Sequence, residues 1–490
     1  MSIRGKISYH LPFILLLVIA LFLRLNNLST LTTFGRDQGI DFSTVKKMIV
    51  ERKPTLIGIE VSIAQFHQGP VYLYMLVPLF LLLQFDPIAG AYTAVLISVI
   101  TIALLYFFTK KFFGRKTALI SSALFAVSPE FVREGNTPLY QHFLPLFLII
   151  AIYVLLELFK TTERSKKHGL ALFLGIIVGI CLEIHFLAIT FALAIFTLLF
   201  FKLSKNLKVV CFYFLGILIG VSPTIFFELK HQFLNTHLLW SYLTSVHDST
   251  SVRSLTRLTV PWIESQTKWF GADLNILGVL IFAWNIYAFL RIRLKLSHEK
   301  TLRQLLLHVT GFSLFFEFGI GDFQAHYLLP LLVIELILIP TWIIQLKFTP
   351  RLISYLAMLI IICVSLNAVM YASFANHGYS MTDGWSLRKM QSITDIITSD
   401  AQDRERVNIA SLIDGDARTY PLRYMLDVRG VPIDSFENYS NSKVMYLVSR
   451  INENEVNNSM LWEVASFKPF AIGQHWELGD GIQLFRLEKE

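Results

Sequence analysis

Charged residues are scarce in this sequence. Only 16% of its 490 residues are Asp, Glu, Lys or Arg, whereas 54% are hydrophobic. Soluble domains contain about 25% charged residues, so this composition excludes an ordinary soluble protein and predicts a polytopic membrane protein. The net charge of +8 does not indicate nucleic-acid binding, because the basic residues form short clusters between apolar segments, as in cytoplasmic loops.

Cysteine is rarer still, and nucleotide-binding motifs are missing. The three cysteines all lie within apolar runs, and no CxxC or Cys/His spacing exists. This excludes a disulfide framework and a thiolate zinc site. The sequence also has no Walker loop and no convincing dinucleotide fingerprint.

Long apolar runs are abundant, and a membrane helix needs roughly 17–25 such residues. We predict about eleven spans, the first an uncleaved helix with its N-terminus inside: 11–25, 88–108, 117–132, 138–159, 169–184, 187–201, 208–227, 273–290, 304–320, 326–346 and 352–373. The short apolar stretch 70–85 is interpreted as a juxtamembrane or re-entrant helix on the outer face. With that choice, all the basic loops become cytoplasmic, as the positive-inside tendency requires.

The predicted topology divides the chain into two domains. Residues 1–375 form the membrane module, with a first outer loop over 26–87, and residues 376–490 form a small extracytoplasmic α/β domain. In the latter, periodicity predicts a helix over 385–401 and strands over 407–413, 443–448 and 482–487. The fold class is therefore mostly α, a helical membrane bundle with a small α/β domain.

Two carboxylates in the first outer loop are the leading catalytic candidates. Asp37 and Asp41 lie four residues apart, so a helix would place both on one face. Pairing of carboxylates raises one pKa, which suits general acid–base catalysis. The alternative is that one of them merely caps the helix, with Arg36 as its ion-pair partner.

The same loop contains candidate metal ligands. Glu60 and His67 have the right chemistry, and with Asp41 they are the candidates for a divalent-metal site. Their spacing matches no specific metal motif. An ordinary polar loop is therefore the alternative.

Further candidates lie at other predicted outer turns. Glu183 and His185 are expected near water in a tight hairpin. Candidates for substrate or phosphate binding are Arg36, Arg133, Lys230, His231, His326 and Tyr327. For each of them, an ion pair, a helix terminus or a structural role is the alternative.

The order of these parts resembles the GT-C glycosyltransferases, in particular their protein-mannosyltransferase-like and aminoarabinose-transferase-like branch. The resemblance spans the full length. It depends on Gly35-Arg-Asp-Gln-Gly-Ile-Asp41, Gln68-Gly-Pro-Val-Tyr-Leu-Tyr74 with Asp86-Pro87, Phe112-Phe-Gly-Arg115, Ser128-Pro129, Glu228-Leu-Lys-His231 and His326-Tyr-Leu-Leu-Pro330.

The resemblance implies a function. The chain would be a multi-pass cell-membrane enzyme that transfers a sugar, with inversion, from a polyprenyl-phosphate donor to a hydroxyl or amine of a protein, lipid or glycan. Asp37 matches the family's first-loop acid, which acts as base or orients the acceptor, while Gln38 replaces a second acid. His326 and Tyr327 match an Arg-Tyr pair that contacts the donor phosphate.

Two other classes of protein are compatible with many apolar spans. In a transporter or flippase we would expect inverted repeats and buried charges within the spans. In this sequence the polar residues lie at span ends, and no repeat is evident. A non-catalytic scaffold that displays the outer domain would not need Asp37.

Overall fold

The computed structural model describes residues 3–61, 66–203, 206–245, 255–270, 275–292, 296–319, 323–346, 348–401, 406–413 and 415–489. Most of these residues are helical. The helices of the first part are α1 (Ile3–Leu25), α2 (Leu28–Leu31), α3 (Arg36–Glu51), α4 (Val71–Leu82), α5 (Ile88–Phe113), α6 (Arg115–Val127), α7 (Pro129–Glu134), α8 (Leu144–Lys160), α9 (Arg164–Ile184), α10 (Ile189–Lys202), α11 (Leu207–Gly220) and α12 (Ser222–Lys230).

The remaining helices follow in chain order. They are α13 (Leu234–Ser245), α14 (Leu255–Phe270), α15 (Asn275–Arg291), α16 (Ser297–Gly319), α17 (Leu329–Gln345), α18 (Phe348–Ala372), α19 (Leu387–Asp400), α20 (Tyr420–Val428), α21 (Glu453–Asn457) and α22 (Trp462–Ala465). Short 3-10 turns, Tyr140–Phe143 and Ala325–Leu328, lead directly into α8 and α17.

The described part of each predicted span falls mainly on helices, but the lengths of the helices differ from those of the spans. By length and composition, five helical segments could cross a membrane: Ile88–Phe113, Tyr140–Lys160, Arg164–Ile184, Ala325–Gln345 and Thr349–Ala372. The α11–α12 pair would be a sixth if it forms one span bent by 64°. Shorter apolar helices are Tyr9–Leu25, Val71–Leu82, Phe186–Lys202 and Gly278–Leu290. The second of these is the short helix predicted over 70–85.

Helices α9 and α11 pack through glycines. Gly175 and Gly179 on α9 face Gly216 and Gly220 on α11, and a Cβ atom on any of the four would meet the partner's backbone within 3 Å. Small residues spaced by four let two helix backbones approach closely, which is how helices associate where lipid removes the hydrophobic driving force.

The C-terminal region forms a four-stranded sheet in the order β1-β2-β4-β3. Strand β1 (Asn408–Ser411) runs parallel to β2 (Val444–Ser449), while β4 (Gln483–Lys489) is antiparallel to both β2 and β3 (Phe470–Glu477). The three predicted strands coincide with β1, β2 and β4, and the predicted helix with α19. Strand β3 and α20 were not predicted. The mostly helical membrane fold with a small C-terminal sheet is confirmed.

One hydrophobic core joins this region to the first outer loop. It contains side chains from α3, α4, α19, α20 and one face of the sheet, among them Phe34, Phe42, Phe80, Trp385, Leu422, Tyr424, Tyr446 and Leu484. A Cβ atom on Gly39 of α3 would lie 2.6 Å from the backbone of Tyr420 at the start of α20. Helix α3, which carries the two candidate carboxylates, is therefore held in place by the C-terminal region.

Candidate active site

Helix α3 presents the carboxylates at its N-terminus. Gly35 is the N-cap, and its N–H donates to Oε1 of Gln38 at 2.9 Å. Asp37 lies in the first turn and Asp41 one turn later. Since Gln38 satisfies the cap and neither aspartate does, the predicted alternative of a simple capping role is wrong. Arg36 is exposed, with its guanidinium 5.8 Å from the centre of the Tyr420 ring.

The two carboxylates differ in their surroundings. Asp41 is only 2% exposed, and its Oδ2 has no hydrogen-bond partner among the described residues. Burial, and secondly the charge of Asp37, raise the pKa of Asp41 well above its ordinary value. Asp37 is open to solvent on one side. Partial burial also raises its pKa, and the nearby Arg36 opposes that shift.

A cluster of rings from distant parts of the chain lies beside the carboxylates. Both carboxylates are within electrostatic range of the Tyr140 hydroxyl. The Tyr140 ring lies 5.7 Å from His185, and His185 lies 5.7 Å from His326 and 5.6 Å from Tyr327, measured between ring centres. The structure therefore places Asp37, Asp41, His326 and Tyr327 around one group of side chains.

Tyr72 of α4 lies within electrostatic range of both carboxylates. Its hydroxyl donates to the carbonyl oxygen of Pro138 at 2.8 Å, and Gln38 Nε2 donates to the same oxygen at 3.3 Å. Burial, followed by the charges of Asp41 and Asp37, raises the pKa of Tyr72 well above its ordinary value. These two bonds fix α3 and α4 to the turn before α8.

Two cations, one on α7 and one on α14, each already have a carboxylate partner. Arg133 pairs with Glu130 and donates to the Ser380 hydroxyl at 3.3 Å. Lys268 on α14 pairs with Glu264 at 2.6 Å, and both lie within electrostatic range of His326. Lys268 was not predicted, although the i, i+4 Glu–Lys pair in an amphipathic stretch is a signal that the sequence contains.

Lys230 and His231 have a different position. Both are exposed at the end of α12, where the His231 ring stacks on Phe227 with 4.4 Å between ring centres. The nearby Glu228 accepts hydrogen bonds from the backbone of Asn235 and from Thr236, so this motif organises the start of α13. The structure does not place Lys230 or His231 among the contacts of the ring cluster.

The predicted metal ligands are not brought together. Glu60 is exposed and pairs with His67 through an isolated antiparallel backbone bridge, while the His67 ring faces Phe227 at 6.4 Å. Within the described ranges, no three His, Cys, Asp or Glu side chains are grouped so that they could hold a metal ion. Asp41, Glu60 and His67 therefore do not fit a metal centre as a set. Asp322, at the predicted turn before His326, lies outside the described residues.

Glu183 and His185 are buried, so the prediction that they lie near water is wrong. Glu183 accepts from the Thr224 N–H at 3.3 Å, and its carboxylate lies against Gly69, where a Cβ atom would come within 1.8 Å of Oε2. His185 lies within the ring cluster, and its Nδ1 accepts from the Leu187 N–H at 3.2 Å. The loop before α4 and the start of α17 cover this turn, and neither is near it in sequence.

Arg24 is a buried structural cation that sequence reasoning missed. It lies in the last turn of α1. In the structure, its guanidinium is fully buried and donates to Ser98 Oγ at 2.7 Å and to carbonyl oxygens of Ala126, Phe125, Phe131 and Ala20. It thereby joins α1 and α5 to the junction of α6 and α7.

Comparisons with known proteins agree with this architecture. Residues 67–227 match the sequence profile of the dolichyl-phosphate-mannose-protein mannosyltransferase family. A search of curated protein sequences found no match. The chain is similar to crystal structures of ArnT from Cupriavidus metallidurans bound to undecaprenyl phosphate, with a TM-score of 0.61, 12% identity and coverage of 99% of this chain and 98% of that one.

Two other structures are also similar. The apo form of the same ArnT has a TM-score of 0.61 and 11% identity, with 97% of both chains covered. The oligosaccharyltransferase of Archaeoglobus fulgidus, in complex with zinc and sulfate, has a TM-score of 0.54 and 12% identity over 89% of this chain and 67% of that chain. The predicted resemblance is confirmed.

Proposed function

We propose that this chain, which has the GT-C fold of membrane glycosyltransferases, transfers a sugar from a polyprenyl phosphate with inversion. The acceptor would be a hydroxyl or amine on the outer face of the cell membrane. The observation that carries the proposal is the meeting of Asp37 and Asp41 with the ring cluster of Tyr140, His185, His326 and Tyr327. The ArnT structure, which binds undecaprenyl phosphate, supports the donor class by analogy of fold.

Asp37 is the residue best placed to act as general base. Its carboxylate is open to solvent, so an acceptor group can reach it, whereas Asp41 is buried behind it. A raised pKa brings a carboxylate closer to the working pH, which is the condition for efficient proton transfer. The charge of Asp37, in turn, adds to the cost of ionising Asp41.

The reaction consists of one displacement. The acceptor oxygen or nitrogen attacks C1 of the sugar and forms the new glycosidic bond as its proton passes to Asp37. The bond between C1 and the phosphate oxygen breaks, and polyprenyl phosphate leaves with that electron pair. Attack from the side opposite the phosphate inverts the configuration at C1.

Charge on the departing phosphate needs cationic or N–H donors. The candidates are His326 within the ring cluster, Lys268 of α14, which is within electrostatic range of His326, and Arg133 of α7. Because Lys268 and Arg133 are held by Glu264 and Glu130, a bound phosphate would share these cations with their carboxylates. Preorganised donors of this kind stabilise developing charge strongly in a site that excludes water.

We also propose that the C-terminal region is extracytoplasmic and acts as the support of the base. The sequence supports this side of the membrane through its basic loops. The contact of Gly39 with Tyr420 and the shared aromatic core fix the position of α3. Residues 376–490 would therefore position Asp37 in addition to any contact with the acceptor.

The test is sugar release from a panel of purified polyprenyl-phosphate sugars, with the full-length protein in lipid nanodiscs. We expect one donor to be cleaved and Asp37→Asn to lower the rate by about 10²–10⁴-fold, the usual contribution of a general base. Asp395→Asn is the matched control, because Asp395 forms an exposed ion pair with Arg429 at the surface. If Asp37→Asn were as active as Asp395→Asn, the role of the base would be refuted.

A further inference from the structure

A lateral cavity lies outside the candidate active site. It has a volume of about 470 Å³ and is enclosed by α14, α15, α16 and α17, within the range of small-molecule sites. Its walls are mostly apolar, and several lining side chains, Ile286, Leu290, Leu307 and Leu314, are exposed at its rim. The cavity therefore opens sideways, toward the surface that faces lipid.

One end of the cavity is polar. The Glu335 carboxylate accepts hydrogen bonds from Gln266 Nε2 at 2.7 Å and from Asn285 Nδ2 at 3.1 Å. All three residues are buried and border the cavity. Asn285 and Glu335 lie within predicted spans, where polar groups are costly and are functional candidates by default. The proposed transfer reaction does not use any of the three residues.

The polar end has an unused acceptor. The side-chain amide nitrogens of Gln266 and Asn285 both donate to Glu335. The amide oxygen of Asn285, Oδ1, has no hydrogen-bond partner among the described residues. Asn285 is 7% exposed. A buried acceptor without a partner is unfavourable, so a ligand that supplies a hydrogen-bond donor at this point would bind more tightly.

The lining also limits the charge of the ligand. Among the described residues that line the cavity there is no Lys, Arg or His, whereas a carboxyl group is present. An ionised phosphate buried here would have no counter-charge, which is unfavourable. The polyprenyl-phosphate headgroup therefore does not fit this cavity, and a neutral hydroxyl does.

We propose that this cavity is a second lipid site, which binds a long-chain alcohol with its hydroxyl donating to Asn285 Oδ1 and its chain along the apolar walls. The site is independent of the proposed transfer reaction, but α14 connects the two. Glu264 and Lys268 face His326, and Thr259, Trp262 and Gln266 lie on the opposite face of the same helix and line the cavity. The bound alcohol would contact the helix that carries Lys268.

The test is photolabelling of the full-length protein in detergent micelles with a diazirine-bearing hexadecanol, compared with the matching hexadecyl phosphate. Mass spectrometry would locate the labelled peptides. We expect the alcohol to label α14–α17 around the cavity, with little labelling there by the phosphate. Equal labelling of the cavity by the two probes would overturn the proposal. Labelling by the alcohol only at sites outside the cavity would also overturn it.

Variants separate this site from general lipid contact. Asn285→Leu removes the acceptor and should lower labelling by about fivefold, the effect of a single hydrogen bond of about 1 kcal/mol. Leu307→Trp narrows the opening of the cavity at its rim and should abolish labelling. It provides an independent test if Asn285→Leu does not fold. Ile353→Trp is the control, because Ile353 is similarly exposed, at 62% against 53% for Leu307, and lines a separate apolar cavity near α18. Unchanged labelling of Leu307→Trp would refute the site.

Discussion

The glycine contact between α9 and α11 gives the sharpest prediction, because α9 contains its own control. A Cβ atom on Gly175 would lie 2.0 Å from the carbonyl oxygen of Tyr213 on α11, whereas a Cβ atom on Gly169 of α9 would meet nothing within 4 Å. Gly175→Ala and Gly169→Ala make the same chemical change in the same helix. Their difference therefore measures the contact alone.

The magnitude follows from the geometry. Ordinary contact begins at 3.4 Å, so the helices must move apart by up to about 1.4 Å (3.4 minus 2.0) at this point. Overpacking of this kind costs about 1–3 kcal/mol. The gain in helix propensity from Gly to Ala, about 0.5–1 kcal/mol, is common to both variants and cancels. We expect Gly175→Ala to be less stable than Gly169→Ala by about 1–3 kcal/mol.

A buried thiol on the same helix provides the assay. Cys181 on α9 is fully buried, while Cys211 and Cys363 are exposed. Alkylation of Cys181, followed by mass spectrometry while the purified protein is warmed in detergent, reports the opening of the helix pair. We expect Cys181 of Gly175→Ala to react at a lower temperature than Cys181 of Gly169→Ala. Equal reactivity in the two variants would refute the packing argument.

Two further predictions concern the first outer loop. Burial raises the folded-state pKa of Asp41 above its unfolded value, so the stability of the wild type should fall as the pH rises from about 4. We expect Asp41→Asn to unfold at a higher temperature than the wild type at pH 7–8 but not near pH 4. Parallel pH profiles of the unfolding temperature for the two proteins would contradict this. Because the predicted metal ligands do not gather, we expect sugar transfer to persist in EDTA, and a loss of activity that zinc or manganese restores would contradict that expectation.

The sequence was most informative where a single segment determines its own structure. A long apolar run forms a helix wherever it lies in the bundle, which is why the predicted spans fall on helices. The bend in the span predicted over 208–227 is also local, because Pro223 lies in the first turn of a new helix, where proline is favoured. Strand β2, which contains a continuous apolar run, was predicted for the same reason.

Strand β3 was missed because its stability comes from its neighbour. Most of its residues are exposed, and the register shifts between Ile472 and Gln474. An edge strand of this kind has little hydrophobic periodicity to detect. Its hydrogen bonds to β4 form only when the sheet is assembled.

The sequence predicts which types of residue form the candidate site, but not which particular residues come together in it. Asp37, Asp41, His326 and Tyr327 could be named because each lies in a predicted outer loop or at a predicted outer span end. Lys230 and His231 satisfy the same rule but do not lie at the ring cluster. Lys268 was not predicted. Which span ends converge depends on helix packing between segments far apart in sequence, which a single sequence does not contain.

Buried polar groups show the same limit most clearly. An arginine at the end of an apolar run has the same sequence context whether its side chain extends into water or is buried in the protein. Arg24 is buried because Ser98 and four carbonyl oxygens from α1, α6 and α7 accept hydrogen bonds from its guanidinium. Glu183 and Glu335 are likewise retained within apolar helices because N–H donors reach them from other helices. Since burial without such partners is costly, the partners decide the position of each charged group, and they become known only with the fold.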